Sequence, residues 1–356
     1  MRNRVAFVCS DAGGTEYLAP VITRFRSEAM VPSVVLADPA GVGKNVLERA
    51  GITHDVQSVF KPGKLPGVIV CGATCKAHDL LHSATDYGMR HGIPVVWCED
   101  FWATACDPAV MDIKPDHLVV VDRSASDIVR RNRPSLSASR IHVLGRPDFD
   151  EFAALKPRGR EIALSVWAEL GISEHQRLIC FWPTHTKQID FKESATPFLS
   201  ALRDDPSVVL FVGFHPADED ADTWMQHVRN FIGRDRVVIK TPFSQSELAL
   251  ASCFVATQFS TVAVKAAFLG VPALFMLTPS SQQFLESRGN RKPYFPLIEW
   301  HGSAAAYTQQ EVEQDTIRLL HNAEYRRQLS AVLDSRFTLP SDATDRVYSF
   351  IKSFLP

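Results

Sequence analysis

Short apolar runs alternate with amphipathic stretches along most of the chain, and that alternation predicts its elements. In the first half, residues 4–9, 33–37, 67–71, 94–98, 117–122 and 141–144 read as strands. Helical spacing falls near 16–27, 42–50, 77–91 and 124–131. The strands are apolar at nearly every position, which predicts a parallel sheet covered on both faces. Right-handed crossovers then make it doubly wound. Residues 149–172 hold two helical stretches without a strand. A second alternation follows, with strands at 177–182, 207–214, 236–240, 253–256 and 273–276. Helices are expected near 195–203, 221–231, 245–251 and 261–269. After Thr278 the chain turns polar, then helical over 309–335. A last helix, 342–354, places Val347, Phe350, Ile351 and Phe354 on one face, suited to packing back on the first domain. The expected organisation is thus a first domain over 1–155, a second over 171–335 and a C-terminal helix within 340–356.

Composition narrows the function classes. The 356 residues are 46% hydrophobic and 22% charged, ordinary for a globular protein, which excludes a disordered, fibrous or coiled-coil chain. A formal charge of -2 provides no bulk positive field for nucleic acid or anionic lipid. No apolar run approaches the ~20 residues of a membrane helix. Met1-Arg2-Asn3-Arg4 is basic, but residues 5–9 are too short for a signal peptide. A cytoplasmic protein is expected, with peripheral membrane association and oligomeric state left open. The seven cysteines (Cys9, Cys71, Cys75, Cys98, Cys106, Cys180 and Cys253) are scattered, as buried reduced thiols would be. Cys71 and Cys75 lack the second ligand pair that zinc needs. Asp148-Phe149-Asp150 and Asp218-Glu219-Asp220 offer carboxylates to a cation, yet acids near a helix start commonly complement its dipole. No metal and no cofactor are expected.

Open parallel sheets bind ligands beyond the carboxyl ends of their strands, so the loops there are the candidates. Asp11-Ala12-Gly13-Gly14-Thr15-Glu16 follows the first strand. Its glycines permit close approach and its helix start favours an anion; the alternative is a tight turn with Thr15 as N-cap. Glu99-Asp100-Phe101-Trp102 follows the fourth strand. Paired carboxylates beside aromatics, with one pKa raised, suit a general base; the alternative is a cap under an aromatic lid. In the second half, Thr184-His185-Thr186-Lys187 suits a phosphate, and His215, fixed by Pro216, suits an anion. Gln258-Phe259-Ser260-Thr261 brings hydroxyls to a helix start, where they would bind an anion or simply cap.

Taken together, these loops resemble the GT-B glycosyltransferase superfamily. Residues 258–272 look like its nucleotide-phosphate strand–turn–helix. Residues 177–187, with 208–216, are similar to CDP-glycerol glycerophosphotransferases and bacterial capsule or sialic-acid transferases, in which a His-Pro pair holds the donor phosphate. The resemblance implies two doubly wound Rossmann-like α/β domains facing across a cleft. It implies a metal-independent transferase of surface polysaccharide synthesis, moving a group from a nucleotide-sugar or nucleotide-polyol donor to a saccharide or glycan acceptor. Catalytic roles would fall to Asp100, Glu16 and His215. The donor would be held by Thr184, His185, Lys187, His215, Pro216, Phe243, Ser244, Gln258, Ser260 and Thr261. The acceptor would meet Asp11, Gly13, Gly14, Thr15, Trp102 and Arg146. Two departures stand out: Phe101 replaces the glycine usual after the acidic pair, and Lys265 occupies a region where many relatives carry a ribose-binding carboxylate. Two other readings share the motifs: a nucleotide-sugar 2-epimerase or hydrolase of the same fold, and a non-catalytic nucleotide-sugar-binding protein.

Overall fold

The computed structural model describes residues 3–28, 31–73, 79–102, 104–184, 187, 189–214, 218–287, 296–336 and 342–356. They form two compact units, Met1–Glu151 with Pro340–Pro356, and Phe152–Leu339.

The first unit holds seven parallel strands: β1 Val5–Cys9, β2 Ser33–Ala37, β3 Asp55–Val56, β4 Val68–Ala73, β5 Val95–Glu99, β6 His117–Val120 and β7 Ile141–Val143. Their order is β3-β2-β1-β4-β5-β6-β7, so the winding reverses between β1 and β4. β1, β4 and β5 are buried along their whole length, as their unbroken apolar runs require. β3 has no apolar run to announce it: both its residues are exposed, and it forms by pairing with Leu36 and Ala37 at the sheet edge.

The helix Ala12–Ser27 starts four residues before the expected position 16, because Gly13 and Gly14 are helical rather than a turn. Gly14 is glycine for reasons of packing. A Cβ there would lie 3.0 Å from the Gly72 carbonyl carbon, and one at Gly72 would lie 2.6 Å from the Gly14 oxygen. The missing side chains let the helix start settle onto the end of β4.

The helix Ala343–Lys352 returns to this unit and buries Val347, Tyr348 and Ile351 in its core. Burial of each such side chain contributes roughly 2 kcal/mol. Asp150 accepts the Ala343 and Thr344 N–H groups at 2.9 and 2.8 Å and so fixes the helix start. Further along, Phe350 lies 4.3 Å from the His142 ring and Phe354 4.9 Å from that of His117. The two imidazoles meet Nδ1 to Nε2 at 3.1 Å.

The second unit has six parallel strands: β8 Arg177–Phe181, β9 Val208–Val212, β10 Val237–Val238, β11 Val255–Thr257, β12 Ala273–Met276 and β13 Ala304–Ala306, ordered β10-β9-β8-β11-β12-β13. β13 is three alanines, too short and unbranched to read as a strand alone; pairing with Leu274, Phe275 and Met276 makes it one. The single helix expected over 309–335 is two, Gln309–His321 and Ala323–Arg336. They part at Asn322, whose side chain accepts the Tyr325 N–H at 2.9 Å. Among the described residues no helix is long and apolar enough to cross a membrane.

Candidate functional site

The carboxyl edge of the first sheet carries two adjacent acids. Glu99, the last residue of β5, is 0% exposed. Its Oε1 accepts the Ala105 N–H at 3.1 Å, while Oε2 has no hydrogen-bond partner. Burial pushes its pKa well above the usual carboxylate range, and the charges of Asp100 and Asp122 push the same way. Asp100 follows, half-buried. Its Oδ1 accepts the Thr104 hydroxyl at 3.0 Å. Its Oδ2 lies against Gly13, whose absent Cβ leaves the space. Burial raises the Asp100 pKa to about 6, against the opposing pull of Arg146 and Thr104, and nearby Asp11 adds to the rise. Burial thus pushes both neighbouring carboxyls toward their protonated forms, Asp100 to about 6.

Several expected acceptor residues are placed otherwise by burial. Trp102 is 1% exposed, and its indole N–H donates to the Asp122 carboxylate at 3.0 Å, so it supports the loop from within. Arg146 is also 1% exposed. It donates to Asp148 at 2.7 and 2.9 Å and to the Asp100 main-chain oxygen, with its guanidinium over the Phe149 ring. Neither offers a surface to an acceptor. Thr15 is buried and is no N-cap: Asp11 holds that position, without a side-chain cap bond, and the Thr15 hydroxyl donates to the Asp11 carbonyl at 2.6 Å. Gly14 is sealed against β4. Asp11, Gly13 and Glu16 remain partly exposed at this edge. The Asp148-Phe149-Asp150 triplet is engaged with Arg146 and with the returning helix, and among the described residues no group of three or more His, Cys, Asp or Glu is placed to hold a metal.

In the second unit, buried Gln258 ties three elements together. Its Oε1 accepts the Thr184 N–H at 2.8 Å and its Nε2 donates to Ser194 Oγ at 2.9 Å. This locks the ends of β8 and β11 to the helix Phe191–Arg203. Gln258 is thus a framework residue rather than a direct donor contact. The Ser260 N–H donates to Thr257 Oγ1 at 3.0 Å, and its own hydroxyl accepts the Val262 N–H at 3.3 Å. Thr261 begins the next helix in helical geometry without a side-chain cap. Lys187 is exposed and paired with Glu219. Ser244 closes a capping box with Glu247, which occupies its hydroxyl, and the Phe243 N–H donates to Thr241 Oγ1 at 3.3 Å. His185, His215 and Pro216 lie outside the described residues.

Hydroxyls missed by the sequence reading stand at the same edge. Thr278, Ser280 and Ser281 follow β12 with buried side-chain oxygens that have no hydrogen-bond partner among the described residues, as does Thr184 after β8. The Ser280 N–H donates to Glu193 at 2.9 Å. The available signal was Thr-Pro-Ser-Ser immediately beyond an apolar strand, which by composition alone reads as a polar loop.

Two parallel, doubly wound sheets of this kind define a GT-B-like fold. No family model and no curated protein matches the sequence. Solved structures match across the whole chain. UDP-GlcNAc 2-epimerase from Neisseria meningitidis, bound to UDP-GlcNAc, superposes with a TM-score of 0.70 at 12% identity, covering 98% of this chain and 100% of that one. The Methanocaldococcus jannaschii UDP-GlcNAc 2-epimerase in complex with UDP-GlcNAc and UDP gives 0.67 at 10% identity, covering 98% and 99%. The S. aureus MnaA-UDP co-structure gives 0.67 at 13% identity, covering 99% and 97%. These comparisons overturn the expectation of a glycosyl- or polyol-phosphate transferase of capsule synthesis, because the neighbours named for an activity are epimerases. The narrower likeness to CDP-glycerol transferases falls with it, while the GT-B-like fold stands.

Proposed function

We propose that the protein is a nucleotide-sugar 2-epimerase. The observation that carries the reading is Asp100, a partly exposed carboxyl at the carboxyl edge of the first sheet, seated against Gly13 and raised by burial to about 6. Inverting a carbon that bears hydrogen requires a proton to leave one face and another to arrive on the opposite face. Asp100, ionised above about pH 6, takes the C2 proton, and a second acid must supply its replacement from the opposite face. The electrons of the C2–H bond make the C1–C2 bond double as the C1–O bond to the diphosphate breaks; in the reverse sense the diphosphate oxygen re-forms the C1–O bond as C2 takes a proton on the opposite face, so the diphosphate must be held through the step and then returned. No second sugar is needed as acceptor. The neighbours bound to UDP-GlcNAc, one of them also to UDP, support a UDP-sugar as the substrate class.

Incubation with UDP-GlcNAc in deuterated water, followed by proton NMR, tests the reading. The expected product is the C2 epimer carrying deuterium at C2. Absence of both epimer and exchange with UDP-GlcNAc and with other UDP-sugars would sink it. Release of free sugar without a C2 epimer would assign a hydrolase instead.

A further inference from the structure

Arg146 is a buried cation that contacts the proton-transfer edge through the backbone. Its guanidinium donates through Nη1 to the main-chain oxygen of Asp100, and through Nε and Nη2 to both carboxylate oxygens of Asp148, at 2.7 and 2.9 Å. Its planar face rests on the Phe149 ring, 4.5 Å from the centroid. The turn that carries it is held from two sides. The Gly145 carbonyl accepts the Tyr17 hydroxyl at 2.9 Å, from the same helix whose first turn faces Asp100. Two residues beyond Asp148, Asp150 accepts two N–H groups of the returning helix.

We propose that Arg146 is a positioning residue for Asp100: it clamps the Asp100 backbone, and its charge, balanced by Asp148, sets how readily that carboxyl gains a proton. The role rests on the epimerase reading only for its kinetic consequence. Among the described residues, Asp11 acts on Asp100, Asp148 and Glu16 act on Arg146, and the Tyr17 hydroxyl feels Arg146, Asp148 and Arg346 together. Removing the guanidinium takes away the cation that acts on Asp100 and leaves the opposing charge of Asp11, so its proton affinity rises. Removing the Asp148 charge leaves Arg146 uncompensated, so the affinity falls. A residue serving only to fill space would produce neither shift, and no opposition of sign between the two variants.

The test is a carboxyl-carbon NMR titration of the whole chain, with the Asp100 resonance assigned by its loss in Asp100→Asn. In Arg146→Met the Asp100 midpoint is expected to rise by at least about one pH unit, and in Asp148→Asn to fall. Arg146→Lys keeps the charge without the planar fork; its midpoint should stay near that of the native chain while kcat drops ~10²-fold and KM changes little. Should Arg146→Met fail to fold, Asp148→Asn and Arg146→Lys carry the test. Unmoved midpoints in folded Arg146→Met and Asp148→Asn overturn the role. Midpoints that move as stated, in a protein that turns over no UDP-sugar, leave the role standing and remove the epimerase reading. Epimerisation at the native rate in folded Arg146→Lys removes the clamp and leaves the epimerase reading intact.

Discussion

Gly13→Ala separates stability from chemistry at one atom. Gly13 lies in the first turn of the helix Ala12–Ser27 and has no positive φ, so alanine suits its backbone. Replacing a helical glycine with alanine gains roughly 0.5–1 kcal/mol. The new methyl, however, would overlap Asp100 Oδ2 and stand 3.1 Å from Asp100 Cγ, closer than ordinary contact. The carboxyl, as the mobile partner, turns aside. It loses the Thr104 hydrogen bond, a cost of about 1 kcal/mol, so folding stability ends within about 1 kcal/mol of the native value. The carboxyl itself is displaced by on the order of 1 Å, which costs ~10²-fold in a reaction that depends on its placement. Urea unfolding and C2 exchange of UDP-GlcNAc in deuterated water read the two effects separately. A folded Gly13→Ala variant that exchanges at the native rate would refute the assignment of Asp100 as the group that takes the proton.

Glu99→Gln retains an acceptor for the Ala105 N–H but buries an amide donor in its place, so urea unfolding should show stability reduced by about 1–3 kcal/mol. Gln258→Leu removes the acceptor of the Thr184 N–H inside the second unit, so unfolding free energy should drop by about 1–3 kcal/mol and UDP affinity, read by calorimetry, should weaken as the β8 end loosens. Burial lowers the pKa of His117 and of His142 below the ordinary 6.5. Their neutral forms are therefore favoured in the folded chain, and the stability they contribute is present above pH 6.5 and is lost as the pH falls below it. Urea midpoints at pH ~7.5 and ~5.5 should reveal that loss, and His142→Phe should reduce it.

The fold was legible because its central strands are apolar on both faces. Residues 5–9 and 68–73 admit no reading with one solvated side, and that pattern specifies a covered parallel sheet. β3 and β13 escaped for the opposite reason: two exposed residues and three alanines form strands only because a neighbour's edge is open to them. The acidic pair was legible as two carboxyls where a strand ends. What surrounds each was not, since the burial of Glu99 and the clamp from Arg146 come from residues distant in sequence. The resemblance gives Trp102 and Arg146 to an acceptor; here each is satisfied internally, by Asp122 and by Asp148. The hydroxyls of Thr278, Ser280 and Ser281 carry no spacing motif, and only their unpartnered burial marks them.

The helix Ala343–Lys352 supplies core side chains to a sheet whose last strand ends at Val143. A ribosome therefore makes all of the second unit before the first can finish its interior. During that interval Phe25 waits for the ring of Tyr348, which comes to lie 4.5 Å away. The first unit emerges earlier yet matures later, and a nascent chain halted short of residue 343 would expose an oily groove that chaperones recognise.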